Sequence, residues 1–269
     1  MIINILICLI RSCIRDMFAE ERLGEILKIL KHEGKLKVKD LSSKFNVTQD
    51  CIRKDLKYLE TQGQLKRTYG GAVQLRESSQ DHDIILRKDI DISRKNIIAM
   101  KAFQLIKDRE TIFLDISTVN ILLSKLLAKS KKRLTVVTNM LEIVNILSKE
   151  NNITVISPGG VLNKDLGGFT GVSAIDFITK YKYDKTFIGS CGIDVFDRSI
   201  TTFEMDDGVT KKAVIHSGKK NYVVMESKKF YFDGNYKFAT IEDIDYIITE
   251  ELPNDEIKSV LDEFSIEII

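Results

Sequence analysis

The chain is poor in the residues that build metal centres and disulfide frameworks. Its 269 residues include four cysteines, Cys8, Cys13, Cys51 and Cys191, with no CxxC pair and none beside a histidine. That spacing argues against a zinc site and a disulfide scaffold, and it fits a reducing cytoplasm. The three histidines, His32, His82 and His216, fall at the end of an expected helix, in a polar stretch and late in another expected helix. None is placed for general acid–base work. No apolar run is long enough to cross a bilayer: Ile2–Ile10 is too short, and it lacks the positive leader and small-residue cleavage site of a secretory signal. Residues 1–16 therefore read as a dispensable extension or a mis-assigned start, with Met17 opening the natural chain. The alternative for 1–16 is a short anchor or an oligomer contact. Internal repeats and low-complexity tracts are absent.

What is present is globular. The sequence is 43% hydrophobic and 30% charged, so it can bury a core rather than remain disordered. A net charge of +2 hides an asymmetry. Met17–Arg76 carries 13 basic against 8 acidic residues, whereas 77–269 carries 26 against 30. A basic module on a mildly acidic body implies that the first part meets a polyanion.

Within the basic module three helices and a ribbon are expected. Leu23, Ile26, Leu27 and Leu30 recur at helical spacing over 19–32, and Gly34 stops that helix. A short helix, Val38 to Phe45, follows. Thr48 is a good N-cap for a third helix over 49–61, with Ile52, Leu56 and Leu59 inward. Gly63 ends it. Two short strands, 64–67 and 72–75, flank Tyr69–Gly70–Gly71. This is a winged helix-turn-helix pattern. The inward stripe leaves Gln49, Asp50, Arg53, Lys54 and Lys57 outward, where the start of such a helix can reach base edges in a major groove. Lys66 and Arg67 are candidates for phosphate contacts. Gly70 and Gly71 allow a tight wing tip that approaches the DNA backbone.

Residues 77–95 are polar and of mixed charge, and are assigned to a linker with little regular structure before about Ser93. From 96 to 269 short β-branched runs alternate with amphipathic segments. TIFLD at 111–115, LTVVT at 134–138, ITVIS at 153–157, KTFIG at 185–189, YVVME at 222–226 and YIIT at 246–249 read as strands. Such alternation implies an α/β domain built on a parallel sheet. Ligands of open α/β sheets bind past the carboxyl ends of strands. Asp115, Thr138, Gly159, Gly189 and Glu226 all lie at such ends.

The motifs carry a resemblance. Val47–Thr48, Cys51–Ile52–Arg53–Lys54–Asp55–Leu56, Leu59–Glu60, Gly63, Leu65, Arg67 and Tyr69–Gly70–Gly71–Ala72 resemble the DNA-binding signature of the DeoR family of bacterial sugar-metabolism regulators. Thr48, Lys54, Cys51 and Tyr69 depart from that signature, the last two less conservatively. The resemblance continues to nearly the end of the chain. It implies a second domain of the fold group of ribose-phosphate isomerases and glucosamine-phosphate deaminases. Asp115–Ile116–Ser117–Thr118–Val119 stands where the family has D-x-G-T-T, a strand-to-helix turn whose free N–H groups suit a phosphate. Asn139, Gly159 and Gly160, Gly189, Gly192, Lys211 and Lys229 match further family motifs. By that resemblance Lys211 and Lys229 line a sugar-phosphate pocket, with Asp115 and Asn139 set for sugar hydroxyls. The expected ligand residues are thus Asp115, Ser117, Thr118, Thr138, Asn139, Gly159, Gly160, Gly189, Gly192, Lys211 and Lys229.

These readings point to a cytoplasmic DNA-binding regulator, a repressor of a carbohydrate operon. Duplex DNA and a phosphorylated sugar are its partners, a dimer or tetramer its expected assembly, and no cofactor, metal or membrane is called for. Two alternatives stand. One is a sugar-phosphate isomerase or deaminase, using carboxylates among Asp194, Glu204, Asp206 and Asp207. The other is a regulator that binds DNA but has lost its ligand, since Ser117 and Arg198 alter the family's loops.

Overall fold

A computed structural model describes residues 19–73, 77–78 and 84–269. The expected extension over 1–16, Met17, His82, the end of the second wing strand and the middle of the linker lie outside the described residues. Two units are distinguished, one up to Leu75 and one from Arg76.

In the first unit, helix α1 (Ala19–Glu33) buries Ile26 and Leu30. Gly34, at φ +74°, returns its N–H to the Leu30 carbonyl at 2.7 Å and stops the helix. Strand β1 (Lys35–Lys37) follows, then α2 (Val38–Phe45), which Asn46 ends in the left-handed conformation. The Thr48 side chain accepts from the Cys51 N–H and caps α3 (Gln49–Thr61). At the other end Gly63 donates to Glu60 and Gln64 to Leu59, both at 2.9 Å. That pair of bonds is the Schellman closure that a left-handed glycine permits. Strands β2 (Lys66–Thr68) and β3 (Gly71–Val73) form the wing, with β3 between β1 and β2. They sit closer to the turn than the spacing predicts. Strand β1 was not expected, because three residues with only Leu36 fully inward give no readable alternation.

The second unit begins earlier than the sequence reading places it. Strand β4 (Glu77–Ser78), helix α4 (Ile84–Arg87) and the start of α5 (Ile92–Leu105) all fall in the stretch assigned to a linker. The reason is burial. Ile84 is 4% exposed and packs in the main core, and Lys95 is 3% exposed. Mixed polarity conceals these two anchors.

The rest of the unit alternates as expected. In chain order it contains β5 (Thr111–Leu114), α6 (Thr118–Ala128), β6 (Leu134–Thr138), α7 (Leu141–Leu147) and β7 (Ile153–Ile156). The hairpin β8 (Val161–Asn163) and β9 (Gly168–Thr170) leads to α8 (Val172–Ile178). Then come β10 (Lys185–Gly189), β11 (Gly192–Asp194), β12 (Ser199–Thr202), α9 (Met205–Ser217) and β13 (Asn221–Val224). A 3₁₀ turn over Ser227–Tyr231 leads to β14 (Phe232–Asp233) and β15 (Tyr236–Thr240). Strand β16 (Tyr246–Ile248), α10 (Asp255–Glu263) and β17 (Glu267–Ile268) complete it.

The main sheet has seven strands in the order β17-β16-β13-β10-β5-β6-β7, and its pairings are parallel. Period-two alternation fills both faces. Ile112, Leu114, Val136, Phe187 and Val224 face one core, while Phe113, Val137, Ile188 and Val223 face the other. The chain runs outward from β5 through β6 to β7, and outward the other way from β10. The sheet therefore switches direction between β5 and β10, which is where a ligand crevice forms in an open parallel sheet. A smaller antiparallel sheet, β11-β12-β15, and the parallel pair β14-β4 are additions that the sequence reading did not contain. No helix among the described residues is long and apolar enough to cross a membrane.

Candidate functional site

Helix α3 turns Ile52, Leu56 and Leu59 into the core at 0–2% exposure. Thr48, Gln49, Asp50, Arg53, Lys54 and Lys57 are exposed together on its other side. The Arg53 guanidinium donates to Asp50 at 2.5 Å and to the Gln49 side chain at 3.3 Å, so the outward face is pre-arranged by local bonds. Lys66 and Arg67 are exposed on β2, and the Arg67 N–H donates to Glu60 at 2.9 Å. Gly70 is exposed at φ +81° with open space where a Cβ would stand. Gly71 differs: it is buried, and a Cβ there would stand 1.8 Å from the Leu36 carbonyl oxygen. Strand β1 by itself demands a glycine there. Two residues at signature positions stand out in the structure. Tyr69 is fully exposed at the wing tip, and Asp55 is buried against Arg22.

In the second unit a cleft opens at the β5/β10 switch. Its walls include Ser117 and Thr118 from the start of α6, Gly189 from the end of β10, and Lys211 and Lys229. Five expected ligand residues thus meet there. Ser117 caps α6 by accepting from the Val119 N–H at 3.2 Å. Asn120, fully buried, donates to the Asp115 and Phe187 carbonyls at 2.9 and 2.8 Å and locks the two strand ends together. Gly189 leaves no room for a side chain, since its Cβ would stand 2.9 Å from the Ser117 Cβ.

Asp115 lies behind the wall. Its Oδ2 accepts from the Gly189 N–H at 3.0 Å and from Lys211 Nζ at 2.5 Å. Lys211 also lies 3.2 Å from Asp207, which accepts from the Thr202 hydroxyl at 2.6 Å. One cation is thus shared by two buried carboxylates. Burial opposes the Lys211 charge, but Asp115 and Asp207 outweigh it and hold its pKa above the usual lysine value. Burial raises Asp115 to about 6, against the pull of Lys211. Lys229 stands apart. Its Nζ donates to the Ser190 carbonyl at 2.6 Å. Burial, aided by the field of Arg87, lowers its pKa to about 8.

The other expected ligand residues do not line the cleft. Thr138 ends β6, its hydroxyl accepting from the Met140 N–H at 3.1 Å just before α7. Asn139 ties the β8–β9 hairpin to β6, donating to the Phe169 carbonyl at 3.1 Å. Gly159 and Gly160 are exposed in the turn before β8. Gly192 is required by packing, since a Cβ would stand 1.8 Å from the Phe232 carbonyl oxygen. Of the strand-end positions, Gly189 lines the cleft, whereas Asp115, Thr138 and Gly159 do not.

The cleft also holds residues that the sequence reading assigned elsewhere or passed over. Arg87 arrives from the supposed linker, Cys191 from the link between β10 and β11, and Thr202 from the end of β12. Glu204, held by Asn163 at 2.6 Å, and Asp207 were noted only as stray carboxylates. Asp194 caps a turn, accepting from Phe196 and Asp197 N–H groups. His216 is exposed, with Nδ1 2.7 Å from the Lys212 carbonyl oxygen.

Comparison with known proteins gives these units a family. Residues 22–78 match the DeoR-like helix-turn-helix domain, and residues 90–251 match the DeoR C terminal sensor domain. The HTH-type transcriptional repressor GlcR of Bacillus subtilis (strain 168) is 30% identical, over 94% of this chain and 96% of that protein. The glycerol-3-phosphate regulon repressor of Escherichia coli (strain K12) is 29% identical, over 92% and 97%. Among solved structures, ribose 5-phosphate isomerase A of Methanocaldococcus jannaschii aligns with a TM-score of 0.38 at 14% identity, over 50% of this chain and 52% of that one. The chain belongs to the DeoR family of transcriptional regulators, with a DNA-binding helix-turn-helix followed by a sensor domain.

Proposed function

We propose that the protein represses a carbohydrate-utilisation operon and releases its operator when a phosphorylated sugar occupies the cleft of the sensor domain. The observation that carries this reading is the cleft itself. It lies at the switch of a parallel sheet, beneath the start of α6, with a lysine whose charge burial and a neighbouring arginine disfavour. An arriving anion relieves both penalties. The Asp115–Lys211–Asp207 cluster beside it is acidic overall and suits hydroxyls rather than phosphate. The names of relatives such as the glycerol-3-phosphate regulon repressor support the same ligand chemistry.

A non-catalytic role is favoured over an isomerase. Relatives that match along nearly the whole chain are named as transcriptional repressors. A homo-oligomer reading a repeated operator is the expected assembly. A ligand that acts this way must bind the DNA-free arrangement more tightly than the DNA-bound one.

The test is a DNA-binding titration on the region upstream of the protein's own gene. It is run at fixed salt, because each phosphate contact changes the log–log salt slope by about 0.9. Hexose, pentose and glycerol phosphates are each added. Release by one of them supports the reading. Specific binding that no phosphate alters would leave a DNA-binding regulator without a sugar response, and turnover of a sugar phosphate would revive the enzyme.

A further inference from the structure

The links that lead into the strands of the main sheet gather positive charge on one rim of the sensor domain. Residues 107–110, 129–133, 148–152, 179–184 and 218–220 precede β5, β6, β7, β10 and β13. Together they carry 11 basic against 4 acidic residues, whereas 77–269 as a whole carries 26 against 30. The rim therefore reverses the sign of the domain. These five strands are consecutive parallel neighbours, β13-β10-β5-β6-β7, so their entrances stand side by side across about 19 Å. The charge stops at β16, which is preceded by Asp243 and Asp245.

The few carboxylates of the rim are mostly taken. Asp108 is shared by Arg109 and Arg133 at 3.9 and 3.5 Å, and Asp184 holds Lys219 at 2.8 Å. Glu110 pairs with Lys185 at the start of β10. Lys129, Lys131 and Lys182 are exposed and make no ion pair among the described residues. Helix ends explain only part of this charge. A cation close to the last turn of a helix complements its dipole, and the effect fades beyond that turn. Helix α6 ends at Ala128, yet the link after it holds Lys129, Lys131, Lys132 and Arg133 with no acidic residue.

We propose that this rim is a second, sequence-independent DNA contact, which engages the duplex backbone flanking the operator. The layout suits a rod-like polyanion. A duplex carries one negative charge per about 1.7 Å, so about 19 Å of it presents roughly eleven. A single small anion would reach only one or two of the five links. The same chain carries a DNA-binding helix-turn-helix, so flanking duplex is present at high local concentration once the operator is held. The rim lies at the amino ends of the strands and the cleft at the carboxyl ends of β5 and β10, so DNA and effector call on different side chains. The inference rests on the DNA-binding role of the chain and is independent of which effector fills the cleft.

The operator is first defined, in the region upstream of the protein's own gene, as the base pairs whose substitution weakens binding. The full-length protein, without sugar phosphate, is then titrated across a salt series on two duplexes. One carries the operator alone, and the other extends it by about two helical turns on each side. Wild type is compared with Lys129→Gln/Lys131→Gln/Lys182→Gln, which leaves no carboxylate stranded. A control, Lys164→Gln/Lys237→Gln/Lys258→Gln, loses the same charge from exposed positions away from these links. Wild type should bind the extended duplex more tightly and with a steeper log–log salt slope. The rim variant should lose about 0.9 of that excess slope for each lysine engaged, up to about 2.7, and bind the short duplex as wild type does. The control should keep the excess. An excess slope equal in wild type and rim variant would overturn the inference. Equal binding of both duplexes by wild type would also overturn it and leave the rim to a polyanion other than DNA. Equal losses in the two triple variants would assign the effect to net charge and overturn it as well. Absence of any sequence-dependent binding would instead sink the operator reading itself, and this inference with it.

Discussion

Arg22 and Asp55 join helices α1 and α3 through a two-pronged ion pair, with Nε 2.6 Å from Oδ2 and Nη2 3.1 Å from Oδ1. Both side chains are at most 10% exposed. Asp55 lies three positions after Ile52 on the buried side of α3, so it belongs to the same face as the apolar stripe. The pair holds that face toward α1 and sends Arg53 and Lys54 outward. Asp55→Ala strands a buried guanidinium, a loss of about 3 kcal/mol. Amide exchange in α3 should quicken and operator binding weaken, with Asp55→Asn intermediate. Unchanged exchange in α3 would show that the apolar stripe alone sets the helix.

Arg53 must leave Asp50 before it can read a base. Their bond is exposed, with 55% and 81% of the side-chain surfaces accessible, so releasing it costs little. Arg53→Ala should cost about 1–3 kcal/mol of specific operator binding if Arg53 reads a base. Asp50→Ala should tighten binding, because it frees Arg53 and removes a charge that repels phosphate. A titration at fixed salt measures both, and weaker binding by Asp50→Ala would give Asp50 its own DNA contact.

Much of this was legible in the sequence because it rests on local chemistry. Thr48, Gly63 and the Ile52–Leu56–Leu59 stripe act within one helix, and a single chain shows them. The parallel strands were legible for the same reason, as β-branched runs with abrupt ends. Contacts set by distant backbone were not. Gly71 read as a DNA-approaching glycine and Gly192 as a ligand glycine, but each makes room for a carbonyl from another strand. Arg87 and Lys95 read as linker residues because a place in a cleft wall and bonds to backbone carbonyls leave no trace in composition.

The two wing glycines should therefore fail differently. Gly71→Ala drives a methyl into the Leu36 carbonyl and forces β3 away from β1. It should unfold the wing and abolish operator binding while the sensor domain still melts as in wild type. Gly70→Ala meets only the cost of a left-handed backbone, about 1–2 kcal/mol. Calorimetry of both variants checks this, and equal losses would mean that the tip, not the β1 contact, is limiting.

We expect Lys211 to act as a scaffold rather than as a phosphate ligand. Its charge is already claimed by Asp115 and Asp207. Lys211→Met leaves two buried carboxylates without a cation, a loss of about 3–5 kcal/mol for the sensor domain. Adding Asp115→Asn and Asp207→Asn to that variant should restore much of the stability. Thermal unfolding reads both steps. A stable single variant that only binds phosphate less well would return Lys211 to the ligand set.

Lys229 should make the ligand response pH-dependent. Its folded pKa is about 8, below the ordinary 10.5, first because burial disfavours the charge and then because Arg87 and Lys95 repel it. Cys191 and Glu226 act in the opposite direction. Between those two values the unfolded chain binds more protons than the folded one, so this group makes stability rise with pH through that window. Below about pH 8 the buried charge is carried in both states and its penalty is constant. Anion binding has the opposite sense. It needs the ammonium, so phosphate affinity should hold steady up to about pH 8 and fall above it. The ligand itself adds no slope there, because a phosphate monoester has lost its second proton near pH 6. Lys229→Arg, charged throughout, should bind phosphate with a flat profile from about pH 7 to about pH 9.5. Calorimetric titrations across that range decide it: a flat wild-type profile would mean that Lys229 does not hold the anion.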